Sequence, residues 1–252
     1  MDGFRSFVNF FLDVAEQLCR ELMFDVLPPV DFSRVKDEIG NANQGFSFVR
    51  HSGNYLSDAY LELSTRACTT RRNGLFKEGR WNWKAIWSYL KKVEAFLEAL
   101  AGVCYLSGGQ LPRIPELFGL ECENGPASAR GFYVYNGHVL YLTRHHKAKR
   151  STNREFYVAR YLPARASLVV YYYLVYIWPC IRMLQQERPG SAAPFCFVPT
   201  RRQIDPGNPA SWQRSSEERV PRQLTKTIAI TERHVKEVHQ RFNRYDDKGP
   251  SA

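Results

Sequence analysis

Apolar positions along the chain repeat with helical spacing in three long stretches. From Phe4 to Leu27 they fall at Phe4, Phe7, Val8, Phe11, Val14, Ala15, Leu18 and Leu22. This is a 3.6-residue stripe, and it predicts an amphipathic helix closed by Pro28-Pro29. From about Trp83 to Leu106 a second stripe runs through Ile86, Tyr89, Leu90, Val93, Phe96, Leu97, Leu100 and Val103, and Ser107-Gly108-Gly109 ends it. A third predicted helix covers Ala164 to Leu184. Between these stretches, Asp31 to Asn54 reads as irregular and Gly74 to Trp83 as a loop. A short helix is expected at Ile114 to Leu120.

A different period sets in after residue 130. Gly131 to Tyr135 and Val139 to Arg144 alternate in the manner of strands and flank Asn136-Gly137, a strong hairpin signal because both residues accept the left-handed backbone of a type I′ turn. A third strand is expected near Tyr157 to Tyr161. Farther on, Phe195 to Pro199 reads as a short strand, Ile204 to Ser215 as a loop, and Arg219 to Ile230 and Thr231 to Phe242 as helices. Asp246 to Ala252 reads as a disordered tail. The order gives an α+β, mostly helical fold with a small antiparallel ribbon set among helices, and a boundary near the Gly74 to Trp83 loop.

Composition changes the picture in one respect. Hydrophobic residues at 44% and charged residues at 24% are ordinary for a globular chain of 252 residues. The net charge of +10 is not, and it favours a polyanionic partner. The cysteines at 19, 68, 104, 122, 180 and 196 are too widely spaced for a zinc module, which draws paired thiolates from one turn. Cys19, Cys104 and Cys180 read as buried small hydrophobes. The start, MDGFRSFVNFF, lacks the charge and apolar order of a secretory signal, so reduced thiols in an intracellular compartment are expected. The segment Ser167 to Leu184 approaches the length of a membrane span. It carries Pro179 and several tyrosines that would need partners in lipid, and so reads as a buried core helix.

Four motifs carry candidate chemistry. LSGGQ at Leu106 to Gln110 matches an ATPase signature string, but the chain has no GxxxxGK[ST] phosphate loop to go with it, so the glycines read as a turn out of a helix. Arg113 follows that turn at the start of the short helix. Local physics leaves two readings open: an arginine beside free helix N–H groups that holds a phosphate, or a surface arginine paired with Glu116. Arg144 to Arg165 is the most basic stretch, with Arg144, His145, His146, Lys147, Lys149, Arg150, Arg154, Arg160 and Arg165 against Glu155 alone. It suits a phosphate backbone, although a solvated charged loop has the same composition. Arg219 and Arg222 open a later helix, where a solvated first turn is the simpler reading. Considered together, two arginines can hold the non-bridging oxygens of one phosphodiester and a lysine can protonate a leaving oxygen, with no metal.

The order Arg113, then Lys147 after a hairpin, then Arg222 on a helix is that of tyrosine recombinases. The stretches GGQLPRIPELFGLEC, RGFYVYNGHVLYLTRHHK, ARYLPARASLVVYYYLVYIWP and RQLTKTIAITERHV, followed by FNRYDD, resemble the tyrosine-recombinase-like region of many fungal proteins. These include telomere-linked RecQ-type helicases and related mobile-element proteins. GFSF at Gly45 to Phe48 and the helix Trp83 to Leu106 are also similar, so the resemblance covers nearly the whole chain.

The resemblance implies a phage-integrase-like catalytic core over residues 81–245, a helical DNA-gripping or packing segment over 1–80, and a tail over 246–252. It implies catalytic roles for Arg113, Lys147 and Arg222. DNA contacts are expected from Arg144, His145, His146, Lys149, Arg150, Arg154 and Arg219. The implied partners are double-stranded DNA and further copies of the chain on that DNA, in the nucleus, with no membrane, metal or small-molecule cofactor.

Two departures from the family pattern matter. Arg219 stands where a histidine is usual. Relatives also continue past FNRYDD into a Gly-His motif and a helix bearing the nucleophilic tyrosine, whereas this sequence stops at Ala252, with Tyr245 the only tyrosine after Arg222. The expected function is therefore DNA binding by a recombinase-derived chain inactive in strand cleavage. The alternatives are an active enzyme using Tyr245 or a tyrosine donated in trans, and a helical protein-interaction module or accessory segment of a helicase-type protein. The chain itself carries no helicase motifs.

Overall fold

A computed structural model of the chain describes residues 2–71, 73–145 and 156–186. The expected strand near 195–199, the two late helices and the tail lie outside the described residues. Within them the fold is α+β: six α-helices, two 3-10 turns, a π-helical turn, a two-stranded ribbon and a three-stranded antiparallel sheet around one apolar core.

The first stripe forms α1 (Asp2–Leu22), which buries Leu12, Ala15, Cys19 and Leu22 along one face, as the 3.6-residue spacing requires. The helix stops earlier than the proline pair predicts. Phe24 and Asp25 both take positive φ, and the Asp25 N–H returns to the Arg20 carbonyl, closing the end of the helix. That turn carries Phe24 onto the face of Tyr89, with ring centroids 6.1 Å apart and nearly parallel planes. Single 3-10 turns follow at Phe32–Arg34 and Phe48–Arg50.

Next comes α2 (Tyr60–Thr69), a helix the apolar pattern did not reveal, because only Leu63, Ser64 and Ala67 reach the core. The expected loop at Gly74 to Trp83 is instead a two-stranded ribbon, β1 (Phe76–Lys77) and β2 (Arg80–Trp81). Its short connection, Glu78-Gly79, has positive φ at both positions, which matches the twist of an antiparallel pair.

The second stripe forms α3 (Trp83–Ser107), capped by the Asn82 side chain, which accepts the Ala85 N–H at 3.3 Å. α1 packs along α3, so residues from both sides of position 80 share one core. The short helix α4 (Ile114–Phe118) follows.

The sheet is a meander in the order β3 (Phe132–Tyr135), β4 (His138–His145), β5 (Phe156–Tyr161). Asn136 and Gly137 close the first hairpin with φ of 50° and 78°, as the dipeptide predicts, and Tyr135 pairs with His138. β4 and β5 remain paired from Leu140↔Tyr161 out to His145↔Phe156.

The chain then enters α5 (Ala164–Tyr172), a π-helical turn (Tyr173–Ile177) and α6 (Trp178–Gln186). The π turn sits just before Pro179, whose ring would clash with the fourth preceding carbonyl in an unbroken α-helix. The Trp178 N–H reaches back to the Tyr173 carbonyl instead. The stretch Ala164–Leu184 is long and apolar enough to cross a membrane by length and composition, and 72% of its apolar window is buried inside the protein. Most of its side chains are packed among the described core residues. Cys19, Cys104 and Cys180 are buried, and burial pushes the Cys19 thiol up to about 12 and the Cys180 thiol up to about 11.

Candidate nucleic-acid interface

Arg113 is the residue immediately before α4. Its extended backbone, with φ of −72° and ψ of 144°, turns the chain into the helix. The side chain is about half exposed at the mouth of a cleft of about 550 Å³. The cleft wall includes Glu116, Arg130, Tyr133, Leu142 and Tyr157. Leu142 comes from β4 and Tyr157 from β5, so the β4–β5 pair forms part of the cleft wall. The connection between those strands is residues 146–155, which hold the densest part of the basic run.

Of the two readings left open for Arg113, the structure shows the groups of the second at close range. The Glu116 carboxylate accepts the Arg113 backbone N–H at 3.3 Å, and its other oxygen lies 4.0 Å from Arg113 Nε. α4 is only five residues long. The guanidinium is drawn only loosely toward Glu116 at a half-exposed site.

The loop that delivers Arg113 is fastened to the sheet from below. Arg160 on β5 donates from Nε to the Gln110 carbonyl at 2.8 Å and from Nη1 to the Thr143 hydroxyl, and its guanidinium carbon lies 5.8 Å from the centre of the Tyr141 ring. The Tyr141 hydroxyl donates to the Cys104 carbonyl at 2.7 Å, near the C-terminal end of α3. Gly108 fits between these two side chains: a Cβ there would lie 2.7 Å from the Tyr141 oxygen and 3.1 Å from Arg160 Cβ. Close approach to these two side chains accounts for a glycine at position 108 of the LSGGQ string. Arg160, read in the sequence as one of a row of cations, is a buried anchor.

A second buried arginine was not anticipated at all. Arg130, just before β3, and Asp37 form an ion pair with both side chains 0% exposed, Nη2 to Oδ1 at 2.6 Å. Arg130 Nη2 also donates to the Glu38 carbonyl at 3.0 Å, and the guanidinium lies between the rings of Phe46 and Tyr133. Asp37 in turn accepts the Val134 N–H at 3.0 Å. Burial raises the Asp37 carboxyl above its ordinary value against the pull of Arg130, and burial lowers Arg130. Asn124 completes the join: it accepts the Arg130 N–H and donates to the carbonyls of Asn41 and Asn43. The segment 37–46 is thereby clamped to the strand that floors the cleft. Asp37 and Arg130 lie 93 residues apart, and no local pattern in the sequence links them.

A second cleft, of about 310 Å³, opens on α6. There Glu123 receives a hydrogen bond from Arg182 at 2.7 Å and faces Arg50 at 3.6 Å. Asp58 also lines this cleft, so its carboxylates match its arginines in number.

Of the remaining sequence-predicted site residues, Arg144 and His145 are the last two residues of β4, paired with Tyr157 and Phe156. Lys147, Arg222, Tyr245, His146, Lys149, Arg150, Arg154 and Arg219 lie outside the described residues. Among the described residues no three of the metal-binding types His, Cys, Asp and Glu come together in a group that could hold an ion. No protein-family model matches the sequence, and no solved structure matches the chain.

Proposed function

We propose that this chain binds duplex DNA through a tyrosine-recombinase-type surface, in which Arg113 and the basic connection between β4 and β5 grip one phosphodiester backbone. The observation that carries this reading is the cleft at Arg113, walled by Leu142 of β4 and Tyr157 of β5, the two strands that lead into and out of that connection. Lys147 lies two residues beyond the end of β4 and Arg154 two residues before β5. Two further observations support it: the net charge of +10, and an Arg113 guanidinium whose nearest ion partner among the described residues is the Glu116 carboxylate at 4.0 Å.

In this reading the guanidinium holds non-bridging phosphate oxygens through paired N–H donors, and Lys147 adds a compact cation from the hairpin side. Arg222 is the third member of the set by the family resemblance. Arg160 and the Asp37–Arg130 pair do not touch DNA; they hold the Arg113 loop and the cleft floor in place.

The test is duplex affinity as a function of salt. Each phosphate neutralised contributes about 0.9 to the slope of log K against log salt. The double variant Arg113→Ala, Lys147→Ala should flatten that slope by about 2 and weaken binding across all sequences. A wild-type protein whose duplex binding shows no salt dependence rejects the proposal, as does a double variant that binds with an unchanged slope.

A further inference from the structure

The ribbon formed by β1 and β2 bears more positive charge than the described residues around it neutralise. Residues 71–84 contain Arg71, Arg72, Lys77, Arg80 and Lys84, and Glu78 is their only acid. Arg71, Lys77, Arg80 and Lys84 are all exposed, and none is ion-paired with a described residue. The register sharpens the point. Lys77 stands directly across from Arg80 and Phe76 across from Trp81. Directly opposed residues of an antiparallel pair project to the same side, and neighbours along a strand to opposite sides. One side of the ribbon therefore shows two cations side by side and the other an edge-to-face Phe76–Trp81 pair with centroids 5.4 Å apart.

Like charges set directly opposite each other weaken a ribbon, and Glu78 in the turn is the one acid on this one. The ribbon is nevertheless firmly rooted. The Leu75 N–H bonds to the Ala67 carbonyl at 2.8 Å, the Asn82 N–H to the Leu75 carbonyl at 2.8 Å, and Leu75 is buried. Phe76 and Trp83 remain 38% exposed at its base. A two-stranded ribbon with a doubled cation beside its turn has the width that a duplex groove admits and the charge that its phosphates require.

We infer that the β1–β2 ribbon is a second DNA contact, with Lys77 and Arg80 straddling the phosphate backbone of a duplex. This deepens the DNA-binding reading given above but does not use the Arg113 cleft.

The experiment compares the full chain with Lys77→Gln, Arg80→Gln and with the charge-retaining Lys77→Arg, Arg80→Lys, for a mixed-sequence duplex and for phosphatidylserine vesicles over a range of salt. The glutamine pair should flatten the duplex salt slope by about 2, at 0.9 per phosphate, while the charge-retaining pair leaves it unchanged. The charge-retaining pair should unfold thermally like the wild type, and the glutamine pair at the same temperature or slightly higher, since it removes the opposed like charges at an exposed site. An unchanged slope in the glutamine pair overturns the inference. So does a wild type that binds the vesicles as tightly as the duplex and loses both together, since the patch would then be a general anion or lipid surface. Arg113→Ala, Lys147→Ala separates the two proposals. A slope that falls for the ribbon variant alone keeps the ribbon and rejects the cleft. A slope that falls for the cleft variant alone does the reverse.

Discussion

Removing one member of the Asp37–Arg130 pair should destabilise the fold far more than removing both. The pair is fully buried, with a 2.6 Å contact. In Asp37→Asn the guanidinium loses its formal counter-charge and keeps only neutral partners among the described residues, with Arg130 Nε and Nη1 buried there without a hydrogen bond. An uncompensated buried charge of this kind costs about 3–5 kcal/mol. In Arg130→Met the Asp37 carboxylate keeps the Val134 N–H and has a way out, which is to take up a proton.

The sign of the resulting pH dependence follows from burial, which already raises Asp37 in the folded chain. Without Arg130 it rises further, so the folded variant holds its proton more tightly than the unfolded chain does. The stability of Arg130→Met is then best retained below the unfolded value near 3.8 and is lost as pH climbs through the raised folded value. The double variant Asp37→Asn, Arg130→Met replaces the ions with neutral groups of similar size and should fall within about 1–2 kcal/mol of wild type.

Urea unfolding followed by circular dichroism provides the assay, with a midpoint shift on the order of 1–2 M expected for Asp37→Asn. The expected coupling between the two sites exceeds about 2 kcal/mol. Single variants that each cost under about 1 kcal/mol, or costs that simply add, would refute the buried-pair argument.

Three other expectations follow from the same geometry. Gly108→Ala places a Cβ 2.7 Å from the Tyr141 oxygen and should cost about 1–3 kcal/mol; a thermal midpoint equal to wild type would mean the loop is not pressed against the sheet. Arg160→Met releases the Gln110 carbonyl and should weaken duplex binding through Arg113, so adding Arg113→Ala should bring little further loss. Full additivity would show that Arg160 does not act by positioning Arg113. Lys92 holds Glu21 at 2.8 Å, and that hydrogen bond lowers the Glu21 carboxyl below 4.5. The advantage of wild type over Lys92→Met should be under about 1 kcal/mol at this partly exposed site, present above pH 4.5 and lost as pH falls through the lowered value. An advantage that persists in stronger acid contradicts the assignment.

The parts of the cleft differ in how far they could be read from the sequence. Arg113 is marked in the sequence by the glycine turn and the proline-containing short helix that flank it, both of which are local signals; a role for it comes only from the family resemblance. The β3–β4 hairpin was found because Asn136-Gly137 sits between alternating strands. Arg160 was noticed as a charge, but its partners Gln110 and Thr143 lie 50 and 17 residues away, so nothing local told an anchor from a surface cation. α2 was missed because few of its residues reach the core, and the ribbon at Phe76–Trp81 because each strand is only two residues long, too short for alternation to register. A sequence signal for the ribbon did exist in Glu78-Gly79, which stands between an aromatic–basic and a basic–aromatic dipeptide.

The sequence by itself determined α3, the Asn136-Gly137 hairpin and the apolar run from Ala164 to Leu184, because periodicity, capping and turn chemistry act over a few residues and are written where they act. Tertiary structure alone decided that α1 ends at Leu22 with Phe24 turned onto Tyr89, that the glycine after α3 exists to admit Tyr141 and Arg160, and that Asp37 meets Arg130. Each of these depends on a partner far away in the chain. A buried charge or a close approach is fixed by what packs against it, and packing is a property of the folded core that no window of neighbouring residues contains.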